Sequence, residues 1–411
     1  MSSVDFRWQT LQSRTLRRPV RVDTGLRVLH VAETMRGGVG TILRSLAVHQ
    51  SQVYGDCNVA VVVPDAHAEQ LDGAALKNVY RFRRSGRNVG SLVSLALTLR
   101  RAVARHRPDI VHLHSTFGGV VGRILHALQR QSGVKIVYTP HAFPFMMQSS
   151  QLKQSTYAKV EAQFAKLADA IVCVSEYERQ AAISAGLPAD RLKLIYNGVS
   201  WPARASGVAR QREGGPLRLL FVGRLDRQKG LDVLLAALHQ LPPHSFHLTV
   251  VGASVNDADG QCALPNVEYK GWVPHDQLGS FYREADVLVM PSRWEGFALV
   301  PLEALSHGLP VVASRCCSMP EVITHNETGL LFDVDDSAEL AQCLEMTSRD
   351  QFQKLGREGQ RFVKAMFTQD GMHAKTLDLY HELVAKRVVL LNVPKAAPQM
   401  GITHRDQLSM P

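Results

Sequence analysis

Asp286-Val-Leu-Val-Met-Pro291-Ser-Arg-Trp-Glu295-Gly-Phe-Ala-Leu-Val-Pro301-Leu-Glu303-Ala-Leu-Ser-His-Gly308-Leu-Pro310 is the stretch on which the reading of this chain turns. It opens on an apolar run with aliphatic residues at both alternating positions, as a strand buried on two faces requires. A polar loop follows, then a helix with Pro301 in its first turn, where a missing amide hydrogen does no damage. Strand, loop and helix make half of a βαβ unit, and ligands of such units gather beyond the carboxyl ends of the strands. Glu295 therefore falls in the loop, facing a cleft, and Glu303 further along the helix. Carboxylates accept hydrogen bonds from hydroxyl pairs, so this spacing suits a ribose and a sugar held together.

Outward from that stretch the same alternation fills the chain. Strands are expected at 217–224, 246–252, 267–272, 286–292, 310–314 and 329–333, with helices at 230–240, 276–283, 298–307 and 337–346 between them. An earlier set runs through 27–33, 58–64, 79–83, 109–115, 135–141, 170–175 and 192–197, with helices such as 91–106 and 152–167. Alternating strands and helices signal a doubly wound parallel sheet, and here the pattern occurs twice. The fold class is α/β: two Rossmann-like domains facing a central cleft. The divisions read as a basic arm at 1–25, a first domain at 26–198, a second at 199–367, a closing helix at 368–392 packing back on the first domain, and a tail at 393–411. The connection 201–216, rich in Pro, Gly, Ser, Arg and Ala, separates the two units.

Composition excludes several classes. At 411 residues with 45% hydrophobic and 20% charged residues, the chain is neither disordered nor a single small module. No apolar run reaches the roughly 18–20 residues of a membrane span, and no secretory core precedes Arg27. Six cysteines without a CxxC pair read as buried thiols of a reducing cytosol. The net charge of +10 divides unevenly: residues 1–198 hold 26 Lys and Arg against 13 Asp and Glu, and residues 199–411 hold 21 against 24. A basic first half calls for an anionic partner. No zinc-finger spacing or RNA-binding aromatic motif points to nucleic acid, and an anionic membrane surface or a lipid phosphate fits the charge as well. The arm, with Arg7, Arg14, Arg17, Arg18 and Arg21, reads as a solvated tail or as a transient attachment to anionic lipid.

Four further segments carry chemistry. Phe221-Val-Gly-Arg224-Leu-Asp-Arg-Gln-Lys229-Gly230 sets a planar guanidinium fork and a compact ammonium at a helix start, where they can meet a phosphate. Glu33-Thr-Met-Arg-Gly37-Gly38-Val-Gly40-Thr41 is a glycine-rich turn whose amides can approach an anion. Tyr138-Thr-Pro140-His141-Ala-Phe143 ends a strand on a histidine, and Tyr269-Lys270-Gly271-Trp272-Val273-Pro274 is a loop whose tryptophan reads equally as core. His112 and His114 lack a third ligand or carboxylate pattern, so no metal is expected. The turn Tyr196-Asn197-Gly198-Val199 is the exit from the first domain.

Together these segments resemble the retaining nucleotide-sugar glycosyltransferases of the GT-B fold, family 4, which show a Glu, seven residues, a second Glu and a Gly-x-Pro turn. Glu295, Glu303 and Gly308-Leu-Pro310 match, and the resemblance runs from about 26 to 367. It implies that Arg224 and Lys229 hold the donor diphosphate and that Gly37 and Gly38 approach it. Glu295 orients the sugar, Glu303 holds the ribose and His141 lies near the donor sugar or the reacting centre. Gly296, Phe297, Ala298 and Leu299 line the donor, and Gly271, Trp272 and Val273 pack on the base. It also implies front-side departure of the diphosphate without cofactor or metal, since the two cations supply the charge. The partners would be a nucleoside diphosphate sugar and a saccharide or lipid-linked saccharide acceptor, at the cytoplasmic face of a membrane. A 2-epimerase on the same architecture and a non-catalytic carbohydrate-binding scaffold are the rival readings. The presence of Arg224, Lys229 and Glu295 argues against both. One departure stands out: Arg315-Cys-Cys-Ser-Met319 replaces the glycine pair that relatives commonly carry, and a changed loop is expected because cysteine and serine resist positive φ.

Overall fold

The computed structural model describes residues 25–71, 73–74, 76–86, 88–129, 133–148, 150–202, 214–253 and 264–391. The arm up to residue 24, the tail from 392, most of the connection 201–216, and Cys262 lie outside the described residues.

The first unit runs β1 (Val28–Ala32), α1 (Gly38–Tyr54), β2 (Val59–Pro64), β3 (Asn78–Phe82), α2 (Val89–His106), β4 (Ile110–His114), α3 (Thr116–Gln129), β5 (Lys135–Thr139), α4 (Gln151–Ala165), β6 (Ala170–Cys173), α5 (Glu176–Ser184) and β7 (Leu192–Leu194). Its strands form one parallel sheet in the order β3-β2-β1-β4-β5-β6-β7. The second runs β8 (Leu217–Val222), α6 (Leu231–Leu238), β9 (Phe246–Val251), β10 (Val267–Gly271), α7 (Leu278–Glu284), β11 (Val287–Met290), α8 (Leu299–Ser306), β12 (Val311–Ser314), α9 (Met319–Val322), β13 (Leu330–Phe332), α10 (Ser337–Met346) and α11 (Arg349–Met366). Its parallel order is β10-β9-β8-β11-β12-β13.

Burial explains the strands. Every residue of Val59-Ala-Val-Val-Val-Pro64 is buried, as helices on both faces demand. Each sheet reverses its order once, between β1 and β4 and between β8 and β11. Crevices open at these switch points, beyond the strand carboxyl ends, and the loops singled out above leave β1, β8 and β11 there.

Helix α3 is absent from the periodicity because Gly118, Gly119 and Gly122 weaken it. Packing overrides propensity: a Cβ at Gly119 would lie 2.3 Å from the Tyr138 ring, and one at Gly122 2.3 Å from Leu113. The glycines let the helix press onto the sheet.

The chain then crosses back through α12 (Gln369–Leu391). At the crossing Val199 N donates to Phe367 O at 3.0 Å and Gln369 N to Val199 O at 3.0 Å. Side-chain contacts pin the helix to the first unit, among them Ser45 Oγ with His373 Nε2 at 2.8 Å, Tyr54 OH with His381 Nε2 at 3.2 Å and Tyr380 OH with His112 Nδ1 at 2.6 Å. No helix among the described residues is long and apolar enough to cross a membrane.

Candidate active site

The wall contributed by the second unit is built from two loops. After β8, Gly230 takes φ +67°, and a Cβ there would lie 2.0 Å from Pro291 O, so only glycine lets this loop meet the one after β11. The loops are stapled by Arg293 N donating to Gln228 O at 2.8 Å and Gln228 Nε2 donating to Trp294 O at 2.9 Å. Between them Lys229 Nζ donates to Glu295 Oε1 at 2.5 Å, with side chains 15% and 6% exposed. Ser292 Oγ donates to the same oxygen at 2.8 Å. Each buried charge is thus matched, the condition under which a buried ion pair is tolerated. Arg224 stands at the rim, its side chain 60% exposed, with Nη2 2.7 Å from Gln228 Oε1 and 3.1 Å from Asp226 Oδ2. Solvent screens that pairing, so the guanidinium can be redirected to an anion at small cost.

Helix α8 starts at this wall and α1 at the opposite one. A Cβ on Gly38 would lie 3.6 Å from Leu299 Cδ1, which places the two helix N-termini against each other across the cleft. Neither N-cap, Gly37 nor Ala298, has a side-chain hydrogen bond to the first turn. Two such ends supply amide donors and partial positive charge to one place, a ready receptor for phosphate.

The first unit answers with the turn after β5. His141 (φ +55°) and Ala142 (φ +102°) both hold the left-handed side of backbone space, which costs energy and marks a constrained segment. Gly296 fits against them: a Cβ there would meet His141 O at 3.2 Å and Ala142 Cβ at 3.0 Å. The turn is held by buried Glu178, which accepts from Ala142 N at 2.9 Å and Val174 N at 2.7 Å. Burial pushes the Glu178 carboxyl up to about 7. Desolvation pulls the His141 imidazole down to about 4, so it is neutral at neutral pH.

The structure therefore brings Gly37, Gly38, His141, Arg224, Lys229, Glu295, Gly296, Phe297, Ala298 and Leu299 to one cleft. Glu303 is different. Both its oxygens are engaged, Oε1 with His275 Nε2 at 2.8 Å and Oε2 accepting from Tyr282 OH at 2.8 Å. Any further ligand of Glu303 has to compete with His275, which is 58% exposed. Hydrogen bonding to Glu303 raises the His275 pKa. Neither His275 nor Tyr282 announces itself in the sequence. Trp272, 72% exposed after Gly271, is not core, whereas Val273 packs against the apolar cluster. The loop 315–319 does not avoid positive φ: Cys317 takes φ +48°, and Ser318 Oγ donates to Gly296 O at 2.6 Å. Cys57 is exposed, contrary to the expectation of buried thiols. A third histidine also joins His112 and His114: His30 offers a nitrogen within 4.8 Å of theirs, a partner that spacing along the chain cannot show.

Comparison with known proteins places these walls in context. The model of Glycosyltransferase Family 4 matches residues 36–200, and that of Glycosyl transferases group 1 matches 216–350. An uncharacterized 41.2 kDa protein in the cps region of Klebsiella pneumoniae is 34% identical over 328 residues, covering 78% of this chain and 89% of its own. A D-inositol 3-phosphate glycosyltransferase of Pseudarthrobacter chlorophenolicus is 28% identical, over 72% of this chain and 76% of its own. Among solved structures, sucrose-phosphate synthase from Thermosynechococcus elongatus superposes with a TM-score of 0.73 at 22% identity, over 88% of this chain and all of its own. HepE of Anabaena in complex with UDP-glucose gives 0.70 at 21%, over 89% and 100%.

Proposed function

The chain belongs to the group 1, family 4 glycosyltransferases, and from that premise we propose that it moves a sugar from a nucleoside diphosphate to a hydroxyl acceptor with retention at the anomeric carbon. The observation that carries this reading is the Lys229–Glu295 pair set between two loops at the β8–β11 switch point, opposite the uncapped start of α1. It offers a cation to a diphosphate and a carboxylate to sugar hydroxyls in one place.

In the proposed reaction the bond from the anomeric carbon to the diphosphate oxygen breaks while the acceptor oxygen bonds to that carbon on the same face. The acceptor proton passes to the departing phosphate oxygen. Lys229 and Arg224 take up the charge that grows on the leaving group, which is where stabilisation accelerates the step. The amides at the start of α1, from its N-cap Gly37 and its first residue Gly38, add to it. Glu295 orients the sugar, and the second unit serves as donor domain against an acceptor-binding first unit. Because two cations supply the charge, the reaction needs no divalent metal and should survive chelation.

HepE was solved with UDP-glucose, which makes uridine donors the first to try. The test is a thermal-shift panel of UDP-, GDP- and ADP-linked sugars, followed by mass analysis of products. One donor should raise the melting temperature, since it binds only the folded chain. No shift with any of them would remove the reading. The relative from a cps region supports a polysaccharide or lipid-linked acceptor. Helix α2 supports a membrane approach: Val89, Val93 and Leu97 stand 75%, 52% and 49% exposed at four-residue spacing, with exposed Arg100, Arg101 and Arg105 following. Flotation with anionic vesicles should retain the chain, and indifference to them at physiological salt would set that approach aside.

A further inference from the structure

Four histidines converge at the cleft end of the first sheet: His30 from β1, His112 and His114 from β4, and His141 after β5. Three of them stand in file behind the cleft. Gln50 of α1 sets Oε1 2.8 Å from His30 Nε2; His30 Nδ1 lies 3.1 Å from His114 Nε2; His114 Nδ1 lies 3.1 Å from His141 Nε2.

The protons in this file follow from one end. An amide oxygen only accepts, so His30 carries its hydrogen on Nε2. A neutral imidazole has one N–H, which makes His30 Nδ1 an acceptor and requires His114 to donate from Nε2. The same step puts the hydrogen of His141 on Nε2. Its remaining nitrogen, Nδ1, makes no hydrogen bond to the described residues, and the residue is only half-buried.

The premise of neutral rings is met. Burial pulls His30 down to about 4 against the opposing hydrogen bond to Gln50. Burial, then the neighbouring imidazoles, holds His114 well below the usual value. The Gln50 side chain also lies beside the Tyr380 hydroxyl, and its Nε2 makes no hydrogen bond to the described residues.

His30, His112 and His114 have the nitrogen count of a metal site, yet His112 is already tied at both nitrogens, to Tyr380 OH at 2.6 Å and Thr139 Oγ1 at 2.7 Å. A divalent ion held by neutral rings alone would also bring its full charge into a desolvated place.

We propose that Gln50, His30 and His114 are positioning residues that fix His141 in its Nε2–H tautomer, so that the cleft receives a neutral Nδ1 that can only accept a hydrogen bond from a sugar hydroxyl. Such a nitrogen welcomes an O–H and repels phosphate oxygens, which orients the sugar ring away from its own diphosphate. The nature of the hydroxyl rests on the glycosyl-transfer reading; the tautomer does not.

Histidine ring 15N labelling of the full chain reads the tautomer directly, with His141 assigned from the spectrum of His141→Gln. At neutral pH the wild type should show His141 Nε2 protonated and Nδ1 bare. Gln50→Met, which removes the accepting oxygen, should give a mixture of tautomers and about a tenfold loss of kcat, the worth of one well-placed hydrogen bond. Gln50→Glu keeps an acceptor and should restore the single tautomer. An Nδ1–H or doubly protonated His141 in the wild type, or an unchanged tautomer in folded Gln50→Met, would overturn the proposal. A wild type with the expected tautomer but no transfer from any nucleotide sugar would defeat the transfer reading and leave the file standing.

Discussion

The two walls of the cleft are polar in opposite ways. The second unit presents charge, with Lys229 and Glu295 balanced against each other and Arg224 exposed at the rim. The first presents imidazoles that burial keeps neutral, backed by an amide and two hydroxyls. The contrast matches the two ends of the proposed donor. A diphosphate gains charge as it leaves and needs cations, whereas a sugar ring needs donors and acceptors of fixed sense. It also predicts how each wall fails: removing a charge on one side strands its partner, and removing a ring on the other reorients its neighbours.

The charged wall gives the largest effect. Lys229→Met should lower transfer by about a thousandfold, the scale of losing a preorganised charge at a leaving group. The same change reaches the fold, because Glu295, 6% exposed, would be left buried without its cation, at a cost of about 3–5 kcal/mol. Lys229→Met combined with Glu295→Gln separates the two consequences. The double variant should regain the melting temperature of the wild type and none of its transfer. Transfer within tenfold of wild type in the single variant would break the assignment of this wall.

The difference between the walls also explains what could be read from the sequence. The charged wall lies in loops whose glycines, prolines and charges have fixed local spacing. Arg224, Lys229, Glu295 and the strands flanking them are therefore legible, the strands to within about two residues at either end. The neutral wall is a matter of register. His30 pairs directly with His112 because β1 and β4 are neighbours, although 82 positions separate them, and His114 shares that face two residues on. Nothing local encodes this. Gln50 and Tyr380 reach the cluster from helices α1 and α12, which are distant in sequence as well. The same limit hid the His275 and Tyr282 partners of Glu303.

The neutral wall should show in stability against pH. In the folded chain His30 and His141 titrate near 4, whereas unfolded histidines bind a proton below about 6.5. Their contribution is therefore complete above pH 6.5 and is lost as the pH falls towards 4, by up to about 3 kcal/mol for the fully buried His30 and by less for the half-buried His141. Glu178 runs the other way. Its carboxyl stays protonated to about 7 when folded but ionises from about 4.5 when unfolded, so its contribution declines as pH rises through that window. Melting temperatures between pH 4 and 7.5 should thus climb, and Glu178→Gln, which deletes the opposing slope, should climb more steeply. A flat profile in the wild type would mean that these rings are protonated in the folded state.

The smallest effect belongs to the contact that joins the walls. Glu321, on α9 of the second unit, accepts from Glu176 N at 2.8 Å and Tyr177 N at 2.7 Å, and from Tyr196 OH at 2.8 Å. It caps helix α5 of the first unit from across the cleft, so its hydrogen bonds exist only while the two units are together. A carboxylate at a helix N-terminus is worth about 0.3–2 kcal/mol, which sets the scale. Glu321→Gln loses the charge and keeps the shape. It should raise the donor KM by about two- to tenfold, with less change in kcat, because the variant must recover from substrate binding the closure that the carboxylate supplied. The same variant should free more sugar by hydrolysis, since a cleft that opens more often admits water. If KM is unchanged while the melting temperature falls, Glu321 stabilises α5 alone and the two walls are held together by the apolar contact of Leu299 on Gly38 and the fit of Gly296 against His141.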